Sequence, residues 1–168
     1  MIAIADDSAL HLLEFTDRKA LPTQLRQVSK AAQGRIGLGR TAITDATEAQ
    51  LTAFFAGRQP RFDLPLALLG TPFQQRVWQA LREIPAGQTR SYAELARDLD
   101  QPSAVRAVAG ANARNRIAIV IPCHRVIGTD GRLTGYAGGL WRKEKLIEIE
   151  QAYAGTVPDQ GAKSAAGA

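Results

Sequence analysis

The first seventy residues alternate short apolar runs with polar turns, a pattern that predicts a small α/β unit. Apolar runs at 2–5 (IAIA) and 10–16 (LHLLEFT) flank an Asp-Asp-Ser turn and predict a β-hairpin. Residues 21–31 then predict a short helix, and the glycine-containing stretch 34–40 predicts a loop. No residue of this unit is predicted to take part in catalysis.

A second helix is predicted to begin at Asp45, because Asp45 and Glu48 have the spacing of a capping box. Beyond this helix, residues 61–69 (RFDLPLALL) predict an extended segment. Pro65 removes a backbone donor, so this segment is predicted to be an edge or irregular strand. The helix is predicted to bury Leu51, Phe54 and Phe55.

From Thr71 onward the pattern changes to helical spacing. Thr71 is a capping residue and Pro72 occupies the first helical position, which predicts a helix over FQQRVWQALREI. Ser91 and Glu94 form another capping box, for the helix SYAELARDL. The first of these helices is predicted to bury Phe73, Val77, Trp78 and Leu81.

A further short helix over residues 104–114 is predicted to be capped by Ser103. Two short helices joined by a tight turn outline a helix-turn-helix, although helical hairpins without DNA-binding function share this outline. Small side chains allow close approach to a DNA groove, and Arg106 is the long side chain among them. The small residues are Ala104, Ala107, Ala111 and Ala113.

The segment Ile117 to Val126 (IAIVIPCHRV) contains the only cysteine of the chain. Its apolar run predicts a buried strand or turn, and Pro122 fixes the chain direction just before Cys123. A lone cysteine is often a small buried hydrophobe, so that interpretation stays open. The adjacent His124 and Arg125 favour the alternative, a nucleophile in its thiolate form.

The last part of the chain combines a glycine-containing loop with a helix. Glycines at 131, 135, 138 and 139 indicate either a flexible loop or a backbone that approaches a flat ligand closely. Residues 141–152 predict an amphipathic helix. Its predicted inward positions are Leu146 and Ile149, and its predicted outward positions are Lys143, Glu144 and Lys145. Residues 155–168 predict a disordered tail.

The composition is that of a globular protein with its positive charge concentrated around the cysteine. The 168 residues are 45% hydrophobic and 22% charged, with a formal net charge of +5. Residues 1–70 hold eight Lys or Arg against seven Asp or Glu, whereas residues 71–150 hold twelve against eight. A basic balance permits an acidic partner such as nucleic acid without requiring one.

A single cysteine and two histidines restrict the chemistry of the chain. They exclude an intramolecular disulfide and a multi-cysteine zinc site, so no metal and no cofactor are predicted. The free thiol, together with the absence of a signal-peptide pattern and of a long apolar run, predicts a cytoplasmic protein without a membrane segment, nucleoid-associated if bacterial. No obligate protein partner is evident.

These patterns together predict an α/β (α+β) protein. Residues 1–69 are predicted to form a small N-terminal α/β domain with a short antiparallel sheet. Residues 70–154 are predicted to form a mainly helical C-terminal domain that contains the helix-turn-helix.

Several motifs between Thr71 and Glu150 occur in an order that resembles the O6-alkylguanine-DNA alkyltransferases (methylated-DNA–protein-cysteine methyltransferases) of bacterial type. The matching pieces are FQQRVWQAL followed by IP and G, then SYAELA, RAV with a later N, IPCHRV and GYAGG. The N-terminal seventy residues are only loosely similar to the variable domain of that family.

The resemblance implies single-turnover repair (EC 2.1.1.63). An O6-methylguanine, and by implication an O4-methylthymine, is flipped out of double-stranded DNA, and its alkyl group passes irreversibly to Cys123. His124 would accept the thiol proton through a water, and Glu150 would orient the histidine. Tyr92 would protonate the leaving base, and Asn115 would brace the turn that holds the cysteine.

The resemblance also implies a set of DNA contacts and a pocket for the flipped base. Binding would occur through the minor groove, with Arg106 filling the gap that the base leaves. The predicted DNA-contacting residues are Ser103, Arg106, Ala107, Ala111 and Arg125. The predicted base pocket comprises Val126, Tyr136, Ala137, Gly138 and Gly139, where Ala137 replaces a hydroxyl residue of some relatives.

Two alternatives from other classes of protein remain open at this stage. A cysteine hydrolase could use Cys123, His124 and Glu150 on esters or amides, and it would turn over many times. A DNA-binding protein without chemistry is the second alternative, and it would not need Cys123.

Overall fold

A computed structural model describes residues 1–34 and 36–156 of the chain. The chain begins with an antiparallel hairpin of β1 (Ile2–Ala5) and β2 (Leu10–Glu14), in which Ile2 pairs with Glu14 and Ile4 with Leu12. The predicted hairpin is therefore confirmed. The segment around Pro65 lies beside β2 as an irregular strand, since Leu10 N donates to Pro65 O and Ala67 N donates to Leu10 O.

Two helices follow the hairpin: α1 (Leu21–Ala31), as predicted, and α2 (Ala42–Phe55). The predicted start of α2 is wrong, because Thr41 caps it in a capping box with Thr44. The Asp45 and Glu48 carboxylates instead pair with the exposed Arg40. Phe55 is 50% exposed because it lies at the last turn, whereas Phe54 is buried.

Helix α3 (Pro72–Arg82) begins at the predicted Thr71 cap and buries Val77, Trp78 and Leu81. It packs on α5 (Val105–Ala113), where Trp78 Nε1 donates to the carbonyl of Ala111 at 2.9 Å. The main core joins this helix pair to Leu10 and Leu13 of the hairpin. The hairpin and the helical region therefore share one apolar interior.

The helix-turn-helix consists of α4 (Tyr92–Asp98) and α5, joined by residues 99–104. Ser91 caps α4 with Glu94 as predicted. The predicted Ser103 cap of α5 is wrong: Ala104 occupies the capping position and supplies no side-chain oxygen. A two-residue strand β3 (Arg90–Ser91) precedes α4 and pairs in parallel with β4 (Val126–Ile127).

The segment that carries the cysteine is a buried turn rather than a strand. Ile117 forms a bridge with Leu13, after which the chain folds back so that Ile121 N donates to Ile117 O at 2.9 Å. Ile119 at the apex has a φ of 72°, a left-handed conformation that is rare for a β-branched residue. A single turn of 3-10 helix, Cys123–Arg125, follows Pro122.

Helix α6 (Leu140–Thr156) closes the described part of the chain and extends beyond the predicted helix. The first two residues of the predicted tail are therefore helical, and the remainder lies outside the described residues. Lys143 was predicted to face outward, but it is fully buried, because its Nζ reaches inward to two backbone carbonyls. Across residues 1–34 and 36–156, no helix is long and apolar enough to cross a membrane.

Candidate active site

Cys123 lies at the start of the 3-10 turn, all three residues of which are buried. The residue is 7% exposed, and its backbone N–H donates to the carbonyl of Ile121 at 2.8 Å. Its thiol borders a small cavity that opens between β2, α5 and the glycine-containing loop. The cysteine is thus both fixed in position and accessible from one side, as a nucleophile requires.

Asn115 holds the turn around this thiol with both ends of its amide. Its Nδ2 lies 3.1 Å from Cys123 Sγ and donates to Ile121 O at 2.9 Å, while its Oδ1 accepts from Ile117 N. The side chain is 1% exposed. One side chain thus joins the beginning of the turn to its end, and its role in bracing the cysteine stays a prediction.

His124, Arg125 and Glu150 form a buried hydrogen-bonded group next to Cys123. His124 Nε2 lies 2.9 Å from Glu150 Oε1, and Arg125 donates to both carboxylate oxygens of Glu150, at 2.9 Å from Nε and 2.8 Å from Nη2. Arg125 also donates to the carbonyl of Ile84. Arg125 was predicted to contact DNA, but its guanidinium is committed to Glu150 in the interior, so that prediction is wrong.

The charges in this group assign the protonation of His124. Burial alone would raise the pKa of Glu150, but the hydrogen bonds from His124 and Arg125 outweigh burial and lower that pKa to about 2. Burial lowers the pKa of His124, against the opposing effect of Glu150. We therefore assign an anionic Glu150 paired with Arg125 and a neutral His124 that donates from Nε2. In the described part of the chain, His124 Nδ1 has no partner, which leaves it free as a proton acceptor.

The thiol itself is held in its protonated form in the resting protein. Burial raises the pKa of Cys123, and the hydrogen bond from Asn115 only partly offsets this effect. The neighbouring His124 does not supply a positive charge, because it is neutral. The expectation that adjacent basic residues favour a resting thiolate is therefore wrong, and ionisation has to be coupled to proton transfer.

Residues 135–138 form one wall of the cavity beside Cys123. Of the residues predicted for the base pocket, Tyr136, Ala137 and Gly138 line this cavity. Val126 and Gly139 do not line it: the carbonyl of Val126 accepts from Lys143 Nζ, and Gly139 lies against the Trp141 ring. The other lining residues are Glu14, Phe15, Arg18, Asn112, Ala113, Ala118 and Gly135.

Tyr92 lies at the beginning of α4, facing the same loop. Its hydroxyl is 3.4 Å from the carbonyl of Gly135, and its side chain is half-buried. Burial, followed by the proximity of Cys123, raises its pKa. The phenol is therefore protonated at neutral pH and can serve as a proton donor beside Gly135, which lines the cavity.

The predicted DNA-contacting residues of the helix-turn-helix separate into two groups. Ser103, Arg106 and Ala107 are exposed, and no hydrogen bond or ion pair of the Arg106 guanidinium is found among residues 1–34 and 36–156. Ala111 is 1% exposed and packs in the core beneath Trp78, so it is not available to DNA. The predicted contact at Ala111 is wrong, because the small-residue stripe extends around the helix into its buried face.

Four polar or charged residues near the thiol were not identified from the sequence as parts of the site: Glu14, Arg18, Asn112 and Lys143. Glu14 is a charged residue at the end of a mainly apolar strand, which is the kind of exception that marks a buried polar site. Asn112 lies three residues before Asn115 in an alanine-rich helix, and its Nδ2 contacts Cys123 O at 3.4 Å. Lys143 shows no such signal, because charged neighbours surround it in the sequence.

The chain thus combines a helix-turn-helix, which is typical of DNA-binding proteins, with a cysteine that borders a small cavity and is followed by a histidine hydrogen-bonded to Glu150. Residues 72–152 match the family model described as 6-O-methylguanine DNA methyltransferase, DNA binding domain. A methylated-DNA–protein-cysteine methyltransferase of Mycolicibacterium paratuberculosis is 49% identical over 148 residues, which cover 86% of this chain and 89% of the relative.

Solved structures agree with these matches. The crystal structure of Mycobacterium tuberculosis OGT in complex with DNA has a TM-score of 0.74 at 40% identity, covering 90% of this chain and 86% of the solved chain. The O6-methylguanine-DNA methyltransferase of Pyrococcus kodakaraensis has a TM-score of 0.63 at 26% identity, with 89% of each chain covered. The chain belongs to the methylated-DNA–protein-cysteine methyltransferase family. The family resemblance and the α/β fold predicted from the sequence are confirmed.

Proposed function

We propose that this protein repairs alkylated DNA by transferring the alkyl group of O6-methylguanine, and of O4-methylthymine, to Cys123. One observation carries the assignment to this residue: the thiol borders the cavity, while the neutral His124 beside it has a free Nδ1 and the Glu150 carboxylate behind it. Family membership supplies the class of reaction, and this arrangement supplies the acceptor.

The transfer begins with ionisation of the thiol. A proton leaves Cys123 Sγ and reaches His124 Nδ1 through one bridging water. The resulting imidazolium is stabilised by the Glu150 carboxylate, which accepts from Nε2. Because burial otherwise keeps the thiol protonated, the thiolate forms only when this proton has a destination.

The thiolate then displaces the base from the alkyl carbon. A bond forms between Sγ and that carbon as the bond from carbon to O6 of guanine breaks, and the electron pair of the broken bond goes to the base. Tyr92, whose hydroxyl contacts the cavity-lining Gly135, keeps its proton at neutral pH and donates it to the leaving guanine. The product is a thioether, which does not hydrolyse, so each protein molecule accepts one group.

Access to the substrate requires the damaged base to leave the duplex, because a stacked base cannot reach a buried thiol. Ser103, Arg106 and Ala107 give the exposed beginning of α5 a low profile with one long cationic side chain. This shape fits the minor groove, with Arg106 inserted where the flipped base had been. The match of the family model to residues 72–152 supports assigning DNA binding and alkyl acceptance to a domain of residues 70–154.

The proposed reaction uses side chains of this chain alone, with no metal or cofactor, and a cytoplasmic location fits it because the acceptor thiol has to stay reduced. The cysteine hydrolase is not favoured, since the relatives of this chain are alkyltransferases. The second alternative, a DNA-binding protein without chemistry, is also not favoured. It would not explain why the His124 and Glu150 side chains are oriented behind Cys123.

A stoichiometry measurement tests this proposal. Increasing amounts of duplex DNA carrying O6-methylguanine are mixed with a fixed amount of protein, and the repaired base is counted. One equivalent repaired per protein, with none by Cys123→Ser, is the expected result. Repair that continues beyond one equivalent, or hydrolysis of an activated ester over many turnovers, would establish a hydrolase instead.

A further inference from the structure

Two charged residues of the N-terminal hairpin region reach the cavity of Cys123. Glu14 ends strand β2 and is 1% exposed, and Arg18, four residues later, pairs with its carboxylate. Both side chains line the same cavity as the thiol. A charged pair from a region without predicted catalytic residues therefore lies at the reacting centre.

Arg18 is also attached to the turn that positions the nucleophile. Its Nη1 donates to the carbonyl of Asn115 at 2.9 Å and its Nη2 to the carbonyl of Ala113 at 2.7 Å. Asn115 in turn contacts Cys123 Sγ at 3.1 Å. A continuous path of hydrogen bonds thus connects the hairpin region to the thiol, across about a hundred positions of sequence.

Further hydrogen bonds surround the pair, although Arg18 Nε has no partner among residues 1–34 and 36–156. Gln24 from α1 donates to Glu14 Oε2 at 3.3 Å, and the other oxygen of Glu14 accepts from Phe15 N. Burying two charges is costly, and a well-packed apolar pair would serve stability at least as well. The position of this pair beside the nucleophile therefore calls for an explanation other than stability.

We propose that the Glu14–Arg18 pair is a further part of the acceptor site. Arg18 is a positioning residue for the Asn115 turn. The opposite charges of Glu14 and Arg18 offset each other's effect on the ionisation of the Cys123 thiol. This inference rests on the proposed function, because it concerns the same thiol. The positive charge of Arg18 favours the thiolate, and the negative charge of Glu14 opposes it.

Other groups face the thiol and are kept unchanged in the test. Lys143 adds a positive charge, and burial lowers its pKa to about 8. His124 is neutral, and burial raises the pKa values of the Tyr92 and Tyr136 hydroxyls. These groups are the same in every variant. A difference between the variants at Glu14 and Arg18 therefore reports on the pair itself.

The test measures the rate of Cys123 alkylation by iodoacetamide as a function of pH, in the full chain without DNA. We expect Glu14→Gln to move the thiol titration to lower pH and Arg18→Gln to move it to higher pH, each by roughly one pH unit. At a fixed pH below the titration, this corresponds to about a tenfold change in rate, in opposite directions. The double variant should lie close to the unaltered protein.

A matched control and a conservative variant separate charge from folding. Glu148→Gln removes an exposed carboxylate of α6, paired with Lys145, and should leave the titration unchanged. Arg18→Lys keeps the charge but loses the two-carbonyl contact, so it should titrate like the unaltered protein while transferring a methyl group from DNA more slowly. If Arg18→Gln does not fold, Glu14→Gln and Arg18→Lys still test the field and the positioning separately.

Shifts of the same sign in Glu14→Gln and Arg18→Gln, or no shift beyond that of Glu148→Gln, would overturn the inference. The thiol titration does not involve DNA, so its outcome is independent of the proposed function. Failure of the unaltered protein to accept a methyl group from DNA would instead refute the proposed function, whatever the titration shows.

Discussion

His124 and Glu150 are joined by a hydrogen bond of 2.9 Å between Nε2 and Oε1, although 26 positions separate them in the sequence. The same carboxylate accepts two hydrogen bonds from Arg125. Glu150 is thus neutralised by a permanent cation and can support a neutral histidine that becomes charged only during the reaction. Because Glu150 is anionic and His124 is neutral in the folded protein, folding stability is expected to decrease as the pH is lowered.

Acid is expected to destabilise the protein by protonating Glu150 and His124. The pKa of Glu150 is about 2 in the folded protein against an ordinary 4.5, so the unfolded chain binds more protons between these values. The stabilisation is complete above pH 4.5 and is lost as the pH falls toward 2. Burial also lowers the pKa of His124 from its ordinary 6.5. Folding stability therefore decreases further as the pH falls below 6.5.

Urea unfolding at a series of pH values measures this effect, with Glu150→Gln as the control. The variant should be less stable at pH 7 by about 3 kcal/mol, since it leaves Arg125 buried without a countercharge. Its stability should also vary less between pH 4.5 and 2. An equal acid dependence in both proteins would show that Glu150 is not the titrating group.

Arg106 and Arg125 are expected to respond in opposite ways to substitution. Arg106→Ala removes an exposed cation and should weaken binding to duplex DNA roughly tenfold without altering thermal stability. Arg125→Met removes the buried partner of Glu150 and should lower stability strongly while changing DNA affinity little. Fluorescence anisotropy measures DNA affinity, and thermal unfolding measures stability. A large loss of affinity in a folded Arg125→Met variant would show that Arg125 contacts DNA after all.

Lys143 connects the two sides of the glycine-containing loop. Its Nζ donates at 2.5 Å to the carbonyls of both Val126 and Thr134. Lys143→Met leaves these carbonyls without that donor, so we expect a loss of about 2 kcal/mol in unfolding free energy and slower alkyl transfer. Lys145→Met, in the exposed neighbour, is the control. Equal effects of the two substitutions would contradict the inward position of Lys143.

Gly138 is expected to tolerate no side chain, because a Cβ at this position would lie 2.8 Å from the rings of Phe15 and Tyr136. Gly138→Ala therefore has to displace one ring beside the cavity and should slow methyl transfer at least tenfold. Gly37→Ala is a suitable control, since a Cβ there meets nothing within 4 Å. Unchanged single-turnover kinetics in Gly138→Ala would show that this wall of the cavity is not rigid.

The parts of the fold that depend on neighbouring residues could be predicted from the sequence. The Thr71 and Ser91 caps, the hairpin and helix α1 follow from local hydrogen bonding and periodicity, and the structure has them where the pattern indicates. The Ser103 cap failed because Ala104, with φ −85° and ψ 19°, occupies the capping position of α5 and has no side-chain oxygen to supply.

The residues of the site that depend on tertiary packing could not be predicted in this way. Lys143 and Lys145 lie on one helix with similar neighbours in sequence, yet only Lys143 faces a pair of carbonyls. Glu14 and Arg18 come to the thiol because β2 pairs with the turn at Ile117, a contact that no local pattern encodes. The motif around Cys123 located the nucleophile, whereas the groups that tune it come from distant parts of the chain.

The most direct test of the account is intact-mass spectrometry after incubation with duplex DNA that carries one O6-methylguanine. We predict the mass gain of one methyl group that replaces the thiol hydrogen, mapped to Cys123 by peptide analysis, and no gain in Cys123→Ala. An unchanged mass despite tight binding of the DNA, or a methyl group on any other residue, would contradict the assignment of Cys123 as the acceptor.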